Sequence, residues 1–68
     1  MSKLKELREA KEMTQTDLAY LSGVSIGTIV RLEGAETEQA LGHFRLDTLS
    51  KVAKTLGVRL RTVLPESG

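Results

Sequence analysis

Few side chains in this sequence could do covalent or metal chemistry. His43 is the single imidazole and there is no cysteine, so neither a zinc ligand set nor a thiolate nucleophile can be assembled. Serines and carboxylates are present, but the one imidazole available to activate them lies in a stretch without helical or strand period. Gly23-x-x-x-Gly27 is turn and helix chemistry, too short for a phosphate-cradling loop. The sequence therefore calls for no cofactor, no metal and no enzymatic activity. The chemistry left to it is recognition, and the elements that position its polar side chains decide what is recognised.

Those elements are read from apolar spacing. Leu4, Leu7, Ala10 and Met13 recur every three residues, as one face of a first helix following a Ser2 cap would. Thr14-Gln15-Thr16-Asp17 is a capping box that starts a second helix, with the Asp17 carboxylate returning to the cap amide. Leu18, Ala19 and Leu21 form its inward face, and Gly23 stops it. Ser25 caps a third helix, with Ile29 and Leu32 inward and Gly34 at its end. Residues 34–45 show no clear period and are read as a loop held to the core by Leu41 or Phe44. Leu46, Leu49, Val52, Ala53 and Leu56 then line a fourth helix ended by Gly57. In the tail, Val58, Leu60, Thr62 and Leu64 alternate with Arg59 and Arg61 as a short strand would. Leu60, Val63 and Leu64 equally fit a short helix, and the brevity of the alternation tips the reading to the helix. Pro65 closes the fold, and Glu66 to Gly68 are expected to fray. No internal repeat or low-complexity stretch interrupts this pattern.

With 68 residues, the chain is expected to be one all-α domain over 1–68, a compact bundle of four to five helices. A domain this size buries only roughly 60% of the surface its unfolded chain exposes. Lacking cysteine, it has self-association as its remaining reinforcement. No apolar run approaches the roughly 20 residues of a membrane span, and the opening Met-Ser-Lys-Leu-Lys-Glu is no signal peptide, so the expected compartment is cytoplasmic. The start methionine and a tail set to fray are read as the ends of a whole protein. The net charge is only +1, and charge alone does not point to a polyanion. It is unevenly spread: residues 45–61 hold five basic groups against Asp47, while Glu36 and Glu38 make the preceding loop acidic.

One spacing is specific. Counted from Gln15, Ala19 is fifth, Gly23 ninth, Ile29 fifteenth and Leu32 eighteenth. A small fifth residue lets two helices cross closely, a glycine at the ninth makes the tight turn, and the two later aliphatics lock the third helix onto the others. This is the pattern of a helix-turn-helix over residues 15–33. The chain here resembles the phage-repressor and Cro-type, or XRE, family of lambda-repressor-like helix-turn-helix domains. The stretches that carry the resemblance are 4–19, 23–33 and 46–58, most of the chain.

The resemblance implies a transcriptional regulator, repressor-like, that binds double-stranded DNA as a homodimer with its third helix in the major groove. Many small members are plasmid or phage repressors, restriction-modification controllers or antitoxins, which implies a bacterial or phage setting. Residue by residue, Gln15 looks like the family glutamine that touches a phosphate and buttresses the reading helix, and Thr14 leads a helix end with free amides. Ser25, Ile26, Gly27 and Thr28 begin the reading helix. With Ile29 and Leu32 inward, helical geometry turns Ile26, Gly27, Val30 and Arg31 outward, and Arg31 alone of these can make a bidentate contact to guanine. Arg8 and Glu33 resemble a family ion pair tying the first helix to the end of the third, a structural role.

Two departures from the family shape the expectation. Ile26, Gly27 and Val30 have no hydrogen-bonding side chains where many relatives place Gln, Asn, Arg or Ser, although the two aliphatics can touch thymine methyls. The loop after the third helix is longer than usual and acidic. Glu36 and Glu38 must then point away from DNA, leaving His43, Arg45 and the start of the fourth helix to meet phosphate. Lys51, Lys54, Arg59 and Arg61 are read as a solvated face, and His43 as a surface histidine. The dimer is expected to use the tail through Leu60, Val63 and Leu64, paired as helices or as a two-stranded sheet. An alternative function on the same fold is protein docking, in which Ile26, Gly27 and Val30 meet a toxin or another regulatory protein.

Overall fold

In a computed structural model the described residues are 2–35, 42 and 44–63. They form five helices and, among the described residues, no strand: α1 (Ser2–Ala10), α2 (Gln15–Ser22), α3 (Ile26–Gly34), α4 (Leu46–Thr55) and α5 (Leu60–Val63). α2 packs on both α3 and α4, α1 on α3 and α5, and α4 on α5. The shared core is Leu4, Leu18, Ala19, Ile29, Leu32, Ala35, Leu49, Val52, Ala53, Leu56 and Val63. None of the described helices is long and apolar enough to cross a membrane.

The helix ends follow from local chemistry. Thr14 and Asp17 close a reciprocal box at the start of α2, Asp17 N donating to Thr14 Oγ1 at 3.0 Å and Thr14 N to Asp17 Oδ2 at 2.9 Å. Both bonds satisfy amides that the first turn leaves without a backbone acceptor. Gly23 adopts φ 74° after α2 and Gly57 φ 72° after α4, the left-handed conformation that glycine takes without penalty. After each, the next amide reaches back, Val24 N to Ala19 O and Val58 N to Ala53 O, both at 3.1 Å.

The end of α1 uses the same closure without glycine. Met13 N donates to Arg8 O at 3.2 Å and Glu12 N to Glu9 O at 2.9 Å, the two bonds of a Schellman end. Glu12 fills the left-handed position with φ 56°, where a side chain crowds its own backbone.

The tail is helical at Leu60–Val63, the reading its sequence favoured, while other expectations change. Val63 is 2% exposed and its surface is buried within one copy; Leu60 is half-buried against the same core. With α5 folded back onto α1 and α4, Val63 belongs to the chain's own core. Leu21, expected inward, is exposed. Successive helical residues turn about 100°, so a face centred on Leu18, Ala19 and Ser22 leaves Leu21 on the flank. There it lines an open groove with Ser22, Lys51, Lys54 and Thr55. Leu46 is exposed because it opens α4, and Ala10 because it closes α1. Gly34 is the last residue of α3, with Ala35 as its extended cap. Phe44 is half-buried against the core, while Leu41, Leu64 and the final four residues lie outside the described residues.

The Glu12 turn yields a prediction. Glu12 is exposed, so replacing it removes strain and no packing. Glu12→Gly should raise unfolding free energy by about 0.5–1 kcal/mol, read as a higher urea midpoint at unchanged slope.

Candidate nucleic-acid interface

The third helix is anchored from behind and open in front. Ile29 and Leu32 are both fully buried, and their stripe fixes which residues face away. Ile26, Gly27, Val30 and Arg31 are all exposed, as the helical geometry requires. Ile26 and Val30 are each 48% exposed. At the start of α3 the Ser25 and Thr28 hydroxyls lie 2.8 Å apart, and Thr28 N donates to Ser25 Oγ at 3.2 Å. This pair holds two hydroxyls in fixed positions at the helix end that carries positive dipole.

A shallow recess of about 300 Å³ joins α3 to the start of α4, lined by Thr28, Arg31, Phe44, Arg45 and Thr48. Arg45 precedes α4 and makes no side-chain capping bond. Two guanidinium-bearing residues thus border one recess, an arrangement suited to an anion such as a phosphate oxygen. Sequence reasoning found Arg31, Arg45 and Thr28 but missed Phe44 and Thr48 as neighbours of the recess. Phe44 was legible only as a core anchor, and Thr48 was one polar residue among many in a helix first turn. His43 lies outside the described residues, as do Glu36 and Glu38.

The orientation of α3 rests on a polar cluster at its other end. Arg8 Nε donates to Glu33 Oε2 at 2.6 Å and Arg8 Nη2 to Glu33 Oε1 at 3.2 Å. The two side chains are only 10% and 6% exposed. Arg8 Nη1 donates to Met13 O at 2.7 Å, and Gln15 Nε2 to Glu33 Oε1 at 3.0 Å. The hydrogen bond to Glu33 raises the Arg8 pKa further above its ordinary value, against the opposing effect of desolvation. Gln15 therefore ties the first residue of α2 to the last turn of α3. Its amide has two N–H groups, so one remains available for a phosphate while the other holds the helix. Thr14, exposed beside it, is occupied by the capping box.

A family model for helix-turn-helix domains matches residues 4–63, a span running from α1 to the end of α5. The chain belongs to the XRE-type helix-turn-helix family. No curated protein and no solved structure gives a significant match. Helix-turn-helix domains of this type are DNA-binding regulators, and α2 and α3 are the helices that give the domain its name.

The buried pair of this domain is open to a direct test. Removing one partner leaves the other charged and out of water, so Arg8→Met should cost about 3–5 kcal/mol, whereas Arg8→Met with Glu33→Leu should recover most of that loss. Chemical unfolding of the single and double variants reads the difference.

Proposed function

We propose that the chain is a sequence-specific, repressor-like regulator that binds double-stranded DNA as a homodimer, with α3 in the major groove. The observation that supports this most is the face of α3. Four outward positions, Ile26, Gly27, Val30 and Arg31, lie outside the core, and one of them, Arg31, shares its recess with Arg45 at the start of α4. In this reading Ser25, Ile26, Gly27, Thr28, Val30 and Arg31 approach base edges, with Arg31 on guanine. Thr14, Gln15, Arg45 and His43 meet the backbone on either side. Each copy measures 30 × 20 × 18 Å. Its long dimension is close to the roughly 34 Å between successive major grooves on one DNA face. Two copies would meet if those long dimensions ran along the duplex.

The exposed part of Leu60 is the described part of the tail still able to contribute to pairing, with Leu64 four residues further along the sequence. A second reading has the half-exposed Ile26 and Val30 docking a toxin or other protein instead of DNA. The two readings differ in their electrostatics, since phosphate contacts release counterions and apolar docking does not.

Selection of duplexes from a random pool should enrich a two-fold symmetric site. Arg31→Ala should then lose about 1–3 kcal/mol and relax one position, while Arg45→Ala should weaken all sequences alike and reduce the salt slope by about one. Failure to enrich any site, with binding that ignores salt, would favour protein docking. Leu60→Asp, checked for native helicity by circular dichroism, should sediment as a monomer where the unaltered chain sediments as a dimer. A variant that still pairs removes the tail from the interface.

A further inference from the structure

We infer that the outer face of α3 reads 5-methyl groups on pyrimidines, selecting thymine and accepting 5-methylcytosine in its place. This rests on the DNA-binding reading above and specifies what that surface detects. Ile26 and Val30 stand one helical turn apart, each half exposed, on a flank of α3 about 110° around the helix from the fully buried Ile29 and Leu32. Their rise along the helix is about 6 Å, no more than about two base steps at 3.4 Å each. Neither side chain can donate or accept a hydrogen bond. Pressed against guanine O6 and N7, or against the cytosine amino group, they would strip water from polar groups and return nothing. The thymine methyl is the one apolar feature that a base edge offers in the major groove. In 5-methylcytosine the same methyl occupies the same ring position.

Gly27 supports the inference independently. A Cβ built there meets nothing within 4 Å, and the backbone is outside the left-handed region. Neither packing nor conformation requires glycine at a helical position where glycine is unfavourable. Between Ile26 and the next turn, its bare backbone removes the bulk that would hold the two aliphatics off the bases. The neighbouring Arg45 supplies the attraction to phosphate that apolar contacts lack.

The test uses the duplex selected by the full chain and measures binding by fluorescence anisotropy. Each thymine is replaced in turn by deoxyuridine, which keeps the pairing edge and the O4 acceptor and removes only the methyl. Affinity should fall about fourfold per contacted methyl, at one or two positions in each half-site. The same replacement at one position should have no further effect in Ile26→Ala, and at the other none in Val30→Ala. Both side chains lie outside the core, so the variants should keep their fold. At those positions 5-methylcytosine should bind more tightly than cytosine by a similar factor. Deoxyuridine tolerated at every position, or losses that persist in both alanine variants, would overturn methyl reading while leaving duplex binding intact. Enrichment of no duplex at all would instead remove the DNA reading on which it stands.

Discussion

Everything on the working side of this molecule depends on one carboxylate, nearly enclosed by protein, finding its hydrogen-bond donors on two other helices. Glu33 sits in the last turn of α3, where the exposed carbonyls carry negative dipole and a carboxylate is unfavourable. It is also nearly shut off from water. Arg8 resolves both problems by meeting its two oxygens through Nε and Nη2. The fork geometry demands that α1 and α3 hold a fixed angle, because a guanidinium cannot bend to follow a rotated partner. The remaining Arg8 donor takes the Met13 carbonyl, and Gln15 adds its amide to Oε1. Glu33 and Arg8 together thus join α1, the turn after it, the start of α2 and the end of α3. Apolar packing alone would permit small rotations of α3, and each rotation would carry a different set of side chains to the front.

That constraint explains why a chain of this size can leave aliphatics in water. Ile29 and Leu32 hold the back of α3, and the fork fixes its roll, so Ile26 and Val30 cannot turn inward to escape exposure. The hydrophobic effect favours their burial, but no rotation satisfies them without exposing Ile29 and Leu32 and breaking the bidentate pair. The outer face is therefore held at some loss of stability, as surfaces that serve a function usually are. Ser25 and Thr28 complete the arrangement by fixing their hydroxyls on each other. Little rearrangement is left for the moment of binding, which lowers its entropic penalty.

Much of this was legible before any coordinate. The Thr14–Asp17 box, the Gly23 stop and the offsets of Ala19, Ile29 and Leu32 each rest on a local rule, and α2 and α3 form where those rules place them. The features that escaped are decided by neighbours distant in sequence. Glu12 closes α1 in a conformation that glycine usually marks, and without glycine the turn left no signature. Leu21 looks inward by type and is outward by angle. Val63 looks like spare apolar surface at a chain end, until α5 folds back against α1 and α4. The recess between Arg31 and Arg45 brings α3 beside the start of α4 across a connection whose sequence has no period.

A net charge of +1 argues weakly for a polyanion partner only if every charge counts equally, and in this fold they do not. Glu33 is neutralised by Arg8, Asp17 accepts from the amide that opens α2, and Asp47 pairs with Lys51 at 3.3 Å along α4. These carboxylates are engaged within the fold. Among the described residues no ion pair is recorded for Arg31 or Arg45, and both border the same recess. Screening in physiological salt confines exposed charges to about 8 Å. A phosphate approaching that recess therefore responds to two guanidinium groups at close range far more than to the sum over the chain. The acidic and basic residues nearly cancel in number, but Glu33 and Asp47 are held by their own basic partners while Arg31 and Arg45 border one recess.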